Sequence, residues 1–254
     1  YTCIHEKKTR RAHCKRGGQL LKPLRPFTIF FGDKDHAINP AHLSEATLVA
    51  QDICSRVGAR SLVFAVQEHQ TGVARVTGRH KIAAPIHQLE QSADIICTNI
   101  SDVGIGVFTA DCMPVIIYDP VHHAASVVHA GWRGSVQAVL VEALANMQRV
   151  FSSNIADLLF YIGPCARVCC YEVQPSFVKQ VCGDHLMCRS LFQRRKDRIF
   201  FDLVRFNYTK LYELGVAAHQ IDASENFCTM CNPGFCSARR DRSQERQVSV
   251  IVLH

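Results

Sequence analysis

The sequence predicts an α+β protein, and three observations carry that reading. Short apolar runs rich in β-branched residues follow one another directly, as in "VGIGVFTADC", "MPVIIYD" and "ASVVHAG" between Val103 and Gly131. Helical patterns are interspersed among these clusters rather than alternating regularly with single strands. No internal repeat, low-complexity tract or Pro/Gly/Ser-rich linker divides the 254 residues, so the expected organisation is one domain over 1–254.

In chain order, residues 1–25 read as a basic, poorly hydrophobic, mobile segment. "PAHLSEATLVAQDICSRVG", Pro40 to Gly58, has helical spacing at Leu43, Leu48, Val49 and Ile53 and stops at a glycine. "SLVFAVQEH", Ser61 to His69, is a strand ending on polar residues. The three runs already quoted are strands. "SVQAVLVEALANMQRVF" is an amphipathic helix over Ser135–Phe151, with Ser135 near its N-cap. "DLLFYIGP" is a strand, "PSFVKQVC" and "DLVRFNYTKLYELGV" are helices, and "QVSVIVL" closes the chain as a strand.

Composition excludes some functions. No apolar run approaches the roughly 18 residues of a membrane helix, and no apolar leader is visible, so the expectation is a cytoplasmic rather than a secreted or membrane protein. The net charge of +7 resides in residues 1–26, where eight Lys and Arg face Glu6 alone; the rest holds 21 basic and 21 acidic residues. A solvated arm explains that leader. The body lacks a basic stripe interleaved with aromatics, so no nucleic-acid partner is expected. Thirteen cysteines without framework spacing suggest mostly buried, inert thiols in a reducing compartment.

Three side chains capable of chemistry stand at strand ends: His69, Cys112 and His129. Two imidazoles and a thiolate suit Zn²⁺, and three protein ligands leave the fourth tetrahedral position open, as in catalytic rather than structural zinc sites. Zinc there would hold Cys112 as thiolate and acidify a bound water. The spacing of 43 and then 17 residues is no local zinc signature, so on chemistry alone buried core Cys and His explain the residues equally well.

Longer motifs favour the site. "TADCMPV", "VVHAGWRG" and "YIGPCARVCCYEV" together resemble the YfiH/YlmD family, also called the laccase-domain or multicopper-polyphenol-oxidase-like family. "KRGG" at 15–18 is similar to its TRxGG, "QEH" at 67–69 to QVH, "SADIICTN" at 92–99 to ADALVT, and "CTMCNPGFCSARRD" at 228–241 to its CT…FxSYRRD segment. The resemblance spans nearly the whole chain and implies a single-domain α/β/β/α sandwich with a zinc on His69, Cys112 and His129. Gln70 replaces the family's glycine and the segment that follows is longer, which keeps His80 as an alternative first ligand. A copper oxidase would need HxH pairs and a blue-copper set; the sequence has no HxH pair.

What the resemblance implies is purine nucleoside chemistry: phosphorolysis of adenosine, inosine, guanosine or methylthioadenosine, with accompanying adenosine deamination. Expected partners are those nucleosides and phosphate, on a monomer or homodimer. Arg133, just before the long helix, can offer its guanidinium beside helix amides to an anion, and Arg16 and Arg239 are further candidates. Asp111 is expected either to hold a zinc histidine from behind or to act as acid/base, and otherwise shapes a turn. Cys165 and Glu172 are expected to line the cleft and Trp132 to stack on a purine; packing is the alternative for each. A second reading drops the metal and makes Cys112 nucleophile and His129 base of an amide hydrolase, for example one editing peptidoglycan precursors. A third is a non-catalytic partner protein acting through its basic leader. Finally, "CTMC" with Cys236 is half of a structural zinc pattern that would need a fourth ligand, for example Cys182 or Cys188, whereas adjacent Cys169 and Cys170 read as packing residues.

Overall fold

A computed structural model describes residues 26–78, 84–182 and 186–254. Fourteen strands occur among them: β1 Phe27–Phe31, β2 Ser61–Val66, β3 Val73–Val76, β4 Ile86–Ser92, β5 Ile95–Thr98, β6 Val103–Thr109, β7 Met113–Asp119, β8 Ala124–Ala130, β9 Leu159–Ile162, β10 Glu172–Val173, β11 Phe192–Arg195, β12 Arg198–Phe201, β13 Ile221–Asp222 and β14 Gln247–Leu253. The α-helices are α1 Thr47–Val57, α2 Trp132–Val136, α3 Val139–Phe151, α4 Pro175–Cys182, α5 Leu203–Glu213 and α6 Ala238–Asp241. None of the described helices is long and apolar enough to cross a membrane.

Two mixed sheets form the centre, in the orders β1-β14-β6-β2-β4 and β13-β9-β7-β8-β5-β3; a third, small sheet, β10-β12-β11, adds Val173, Ile199 and Phe201 to the core on the α3 and α5 side. Alternation along β7 and β14 explains why they stack. Ile116 and Tyr118 of β7 meet Ile251 and Leu253 of β14 in one cluster between the sheets. Val115 and Ile117 face the other way, against Leu140, Leu144 and Met147 of α3 and Leu211 of α5. On the opposite side, Val248, Val250 and Val252 meet Ala50, Ile53 and Val57 of α1. Three apolar interfaces between four layers make the expected α/β/β/α sandwich. Because both faces of β6, β7, β8 and β14 are covered, these strands read as continuous apolar runs.

Two helices differ from expectation. The predicted Ser135–Phe151 helix starts earlier, at Trp132, and breaks at Ala138, whose φ of 67° is left-handed, before α3 resumes. Pro40–Ala46 is 3₁₀-helical and α1 begins only at Thr47; its buried face is Ala50, Ile53, Cys54 and Val57, while Leu48 is 79% exposed. Residues 1–25, including Arg16 and the "KRGG" stretch, and His80 lie outside the described residues.

A candidate metal centre in an arginine-flanked cleft

The site starts from strand parity. β7 and β8 are antiparallel with Pro114 opposite His129, so Cys112 precedes β7 on the side of Pro114, Ile116 and Tyr118, between the sheets. His129 shares that side with Ala125 and Val127 at the end of β8. Imidazole and thiol therefore meet at the rim of the inter-sheet core. His129 is 3% exposed, whereas Cys112 is partly open.

His69 arrives from the turn after β2. Gln67 anchors this turn: its amide donates to the Phe108 carbonyl at 2.9 Å and accepts from the Phe108 amide at 2.8 Å, extending the strand pairing with a side chain. His69 itself has a left-handed backbone, φ 61°, which persists only where its surroundings hold it. Asp94, between β4 and β5, supplies that hold. Its carboxylate accepts the amides of Glu68, His69 and Gln70 at 2.8–3.1 Å. The same carboxylate lies 2.6 Å from His129 Nδ1, which fixes that ring and leaves Nε2 for Cys112.

As a result the ligand atoms of His69, Cys112 and His129 all lie within 4.8 Å of one another. The two rings meet edge to face with centroids 4.7 Å apart. Space for them exists because residue 131 is glycine: a Cβ there would come within 2.9 Å of Cys112 Sγ and 3.0 Å of His69 Cδ2. Gly134 similarly lets α2 approach the Gln70 carbonyl.

Charge follows geometry. Burial alone would raise the Cys112 thiol, but His129, and His69 behind it, bring it down to about 6. Burial opposes protonation of His129, yet the sulfur and Asp94 outweigh it and lift the ring to about 9. Asp94 stays below the usual carboxylate range although burial works against it, because His129 and the turn amides stabilise its charge. A partly open thiolate between two imidazoles, one of them backed by a carboxylate, is a donor set for a borderline-soft divalent ion.

The three residues open on a cleft of about 660 Å³, also lined by Asp111, Trp132, Arg133, Tyr171, Arg239 and Arg246. That size suits a small-molecule ligand. Arg133 stacks over Trp132 at 4.7 Å and Arg239 over Tyr171 at 5.0 Å, so two exposed guanidiniums stand at the cleft on aromatic supports. Arg133 is the second residue of the short α2 rather than preceding a long helix. Trp132 also packs edge-on against Phe177, at 4.8 Å.

Asp111 lines the cleft, with φ 85°, but the carboxylate behind His129 is that of Asp94. Asp111 instead accepts from Thr229 Oγ1, Ser237 Oγ and the Arg239 amide at 2.7–3.0 Å, tying the C-terminal loop to the cleft. Cys165 and Glu172 do not line the cleft, contrary to expectation. Cys165 is fully buried beneath it, beside the Asn226 amide, and burial pushes its thiol up to about 12. Glu172 turns its carboxylate outward to Arg198, 3.4 Å away, and only its carbonyl meets Arg239.

The residues missed from the sequence are Asp94, Tyr171 and Arg246. Asp94 stands within the quoted "SADIICTN" stretch, and a lone acid before an apolar strand was its one available mark. The half-pattern around "CTMC" is also corrected. Cys182 and Cys188 are disulfide-bonded to each other, and Cys236 lies elsewhere with its thiol raised by burial to about 11.

Comparison with known proteins agrees with this architecture. Purine nucleoside phosphorylase YlmD of Bacillus subtilis is 31% identical over 246 residues, 94% of this chain and 86% of that protein. Adenosine deaminase RL5, from an unknown prokaryotic organism, is 28% identical over 217 residues, 83% and 79% of the two chains. The crystal structure of the hypothetical protein YfiH of Bacillus licheniformis superposes with a TM-score of 0.76 at 25% identity, covering 90% of this chain and 93% of that one. A family model described as multi-copper polyphenol oxidoreductase laccase matches residues 33–254. The chain is thus a member of that laccase-like family, to which its YfiH and YlmD neighbours point as well.

Proposed function

We propose that this protein is a zinc-dependent purine nucleoside phosphorylase with accompanying adenosine deaminase activity. The observation that carries the reading is the convergence of His69, Cys112 and His129 in one cleft with Arg133 and Arg239. The names of the relatives supply the substrate class, and the donor set fits zinc: one sulfur kept ionised, and one imidazole whose second nitrogen Asp94 occupies. Held by these three residues, zinc would supply Lewis acidity at one open position.

The chain's own residues account for the rest. Arg133 and Arg239 offer bidentate donors to phosphate, and their aromatic supports limit the freedom lost on binding. The exposed part of Trp132 offers a face to a purine. Asp94 keeps the His129 ring oriented through the reaction.

Incubation with adenosine, inosine and methylthioadenosine, with and without phosphate, tests this directly. Expected is free purine base with sugar 1-phosphate only when phosphate is present, and inosine from adenosine without it. No conversion of any of the three by zinc-replete protein would contradict the reading.

One observation favours a second reading. The order Cys112, His129, Asp94 has the form of a nucleophile, its base and the carboxylate orienting the base, without any metal. That amide hydrolase would be metal-free and inactivated by alkylation of Cys112, whereas the zinc reading requires metal for activity.

A further inference from the structure

A second group of metal-ligating side chains lies outside the cleft. Cys169 and Cys170 sit in the loop after β9, and Cys228 and Cys231 in the loop after β13. β9 and β13 are parallel neighbours, so their following loops leave the sheet at the same end. There the backbones pair: the Cys165 amide donates to the Phe227 carbonyl, and the Thr229 amide to the Cys165 carbonyl, each at 3.0 Å. This register brings the four sulfurs within 4.8 Å of one another, with Cys169 and Cys231 3.6 Å apart.

We propose that Cys169, Cys170, Cys228 and Cys231 form a structural zinc site, separate from the cleft and independent of the function assigned to it. Zinc–sulfur bonds of about 2.3 Å require tetrahedral edges of about 3.8 Å, which the 3.6 Å contact meets with little adjustment. Four protein sulfurs close the coordination shell, leaving no position for substrate, so the role is structural. Cys228 and Cys231 have the C-x₂-C spacing that places two ligands on one turn.

Charge supports the same ligand. Four thiolates around a divalent ion leave a net charge of −2, which needs compensation near the site. Arg195 binds the carbonyls of Val168 and Cys169, and Arg240 those of Thr229, Met230 and Asn232. Arg167 reaches the Asn226 carbonyl at 3.0 Å. The three guanidiniums thus brace the backbone of both cysteine loops; Arg240 is paired with Asp241, so the compensating positive charge comes from Arg195 and Arg167.

The consequence reaches the cleft. The loop after β13 carries Thr229 and Ser237 and leads into α6 with Arg239; these are the three donors to Asp111, and Arg239 lines the cleft. Zinc here would staple the wall of the binding site without touching substrate.

The test uses Cys112→Ala, which removes the cleft thiolate and leaves the four cysteines intact. Expected is one zinc per chain by elemental analysis in this variant, replaceable by Co²⁺ with the strong thiolate-to-metal absorption of a four-sulfur site. Wild type should then carry two zincs. A metal-free variant whose four cysteines all react with a thiol reagent would overturn the proposal. So would a mass showing a disulfide beyond Cys182–Cys188. Should the variant not accumulate, zinc X-ray absorption on wild type decides: two sites average about 2.5 sulfurs per zinc, the cleft alone about one. A wild type that carries only one zinc, surrounded by four sulfurs, would refute the proposed function but not this site.

Discussion

The two clusters solve opposite problems with the same element of chemistry. In the cleft, His69, Cys112 and His129 stand at the ends of strands or on an anchored turn, and a buried carboxylate fixes their orientation. Three ligands, a rigid frame and an adjoining cavity leave room for a reacting molecule. At the Cys169/Cys170/Cys228/Cys231 cluster the ligands belong to loops, Cys169 and Cys231 are exposed, and arginines rather than carboxylates surround them. Four sulfurs leave no vacancy. On this reading the cleft centre takes its order from the sheets, whereas the four-sulfur site ties together two loops that backbone pairing and arginines already hold side by side.

Substitutions test that contrast, the largest effect first. Cys112→Ala should abolish turnover, by at least about 10³-fold, because it removes the thiolate on which both readings of the cleft depend. Steady-state rates with adenosine and inosine check this; retention of more than a tenth of activity would break the assignment. Asp94→Asn should weaken zinc binding in the cleft by about 10–100-fold while sparing the four-cysteine cluster, since it removes the charge behind His129 and turns one acceptor oxygen of the His69 turn into a donor. Chelator competition measures it, and equal loss at both sites would erase the distinction drawn between them.

A pH effect sharpens the same point. Between about 6 and about 9, metal-free protein holds Cys112 as thiolate and His129 as imidazolium. The depressed thiol contributes stability that is lost as pH falls through about 6. The raised imidazole contributes stability that is lost as pH rises through about 9. Zinc needs the neutral ring, so its entry into the cleft near pH 7.5 should release about one proton, read in a weakly buffered titration. Release of no proton would contradict the ion pair. The smallest effect expected is from Arg133→Ala: the KM for phosphate should rise about tenfold, with kcat little changed, because an exposed guanidinium can be partly replaced by Arg239. An unchanged phosphate dependence would remove Arg133 from that role.

Much of this was legible from local pattern. The strands Met113–Asp119 and Gln247–Leu253 and the helix Pro175–Cys182 have the bounds their apolar patterning implies. Covered on both faces, the core strands show as unbroken runs, and three of the site's residues follow such runs. What was not legible depends on distance along the chain. Asp94 lies 35 residues before His129, and Cys169 lies 62 before Cys231, so neither partnership leaves a spacing signature. Adjacent Cys169 and Cys170 resemble packing residues until β13 pairs with β9. Helix starts failed for a local reason: the left-handed turn at Ala138 interrupts a pattern that periodicity alone would continue.

On the proposed reading, His69, Cys112 and His129 hold a divalent ion in the cleft. Anomalous diffraction at the zinc edge from crystals of the purified protein tests it most directly. A peak bounded by those three side chains, with one exogenous ligand toward the cleft, is expected. A map with no peak there, and Cys112 Sγ bonded to nothing but its hydrogen-bond partners, would contradict it.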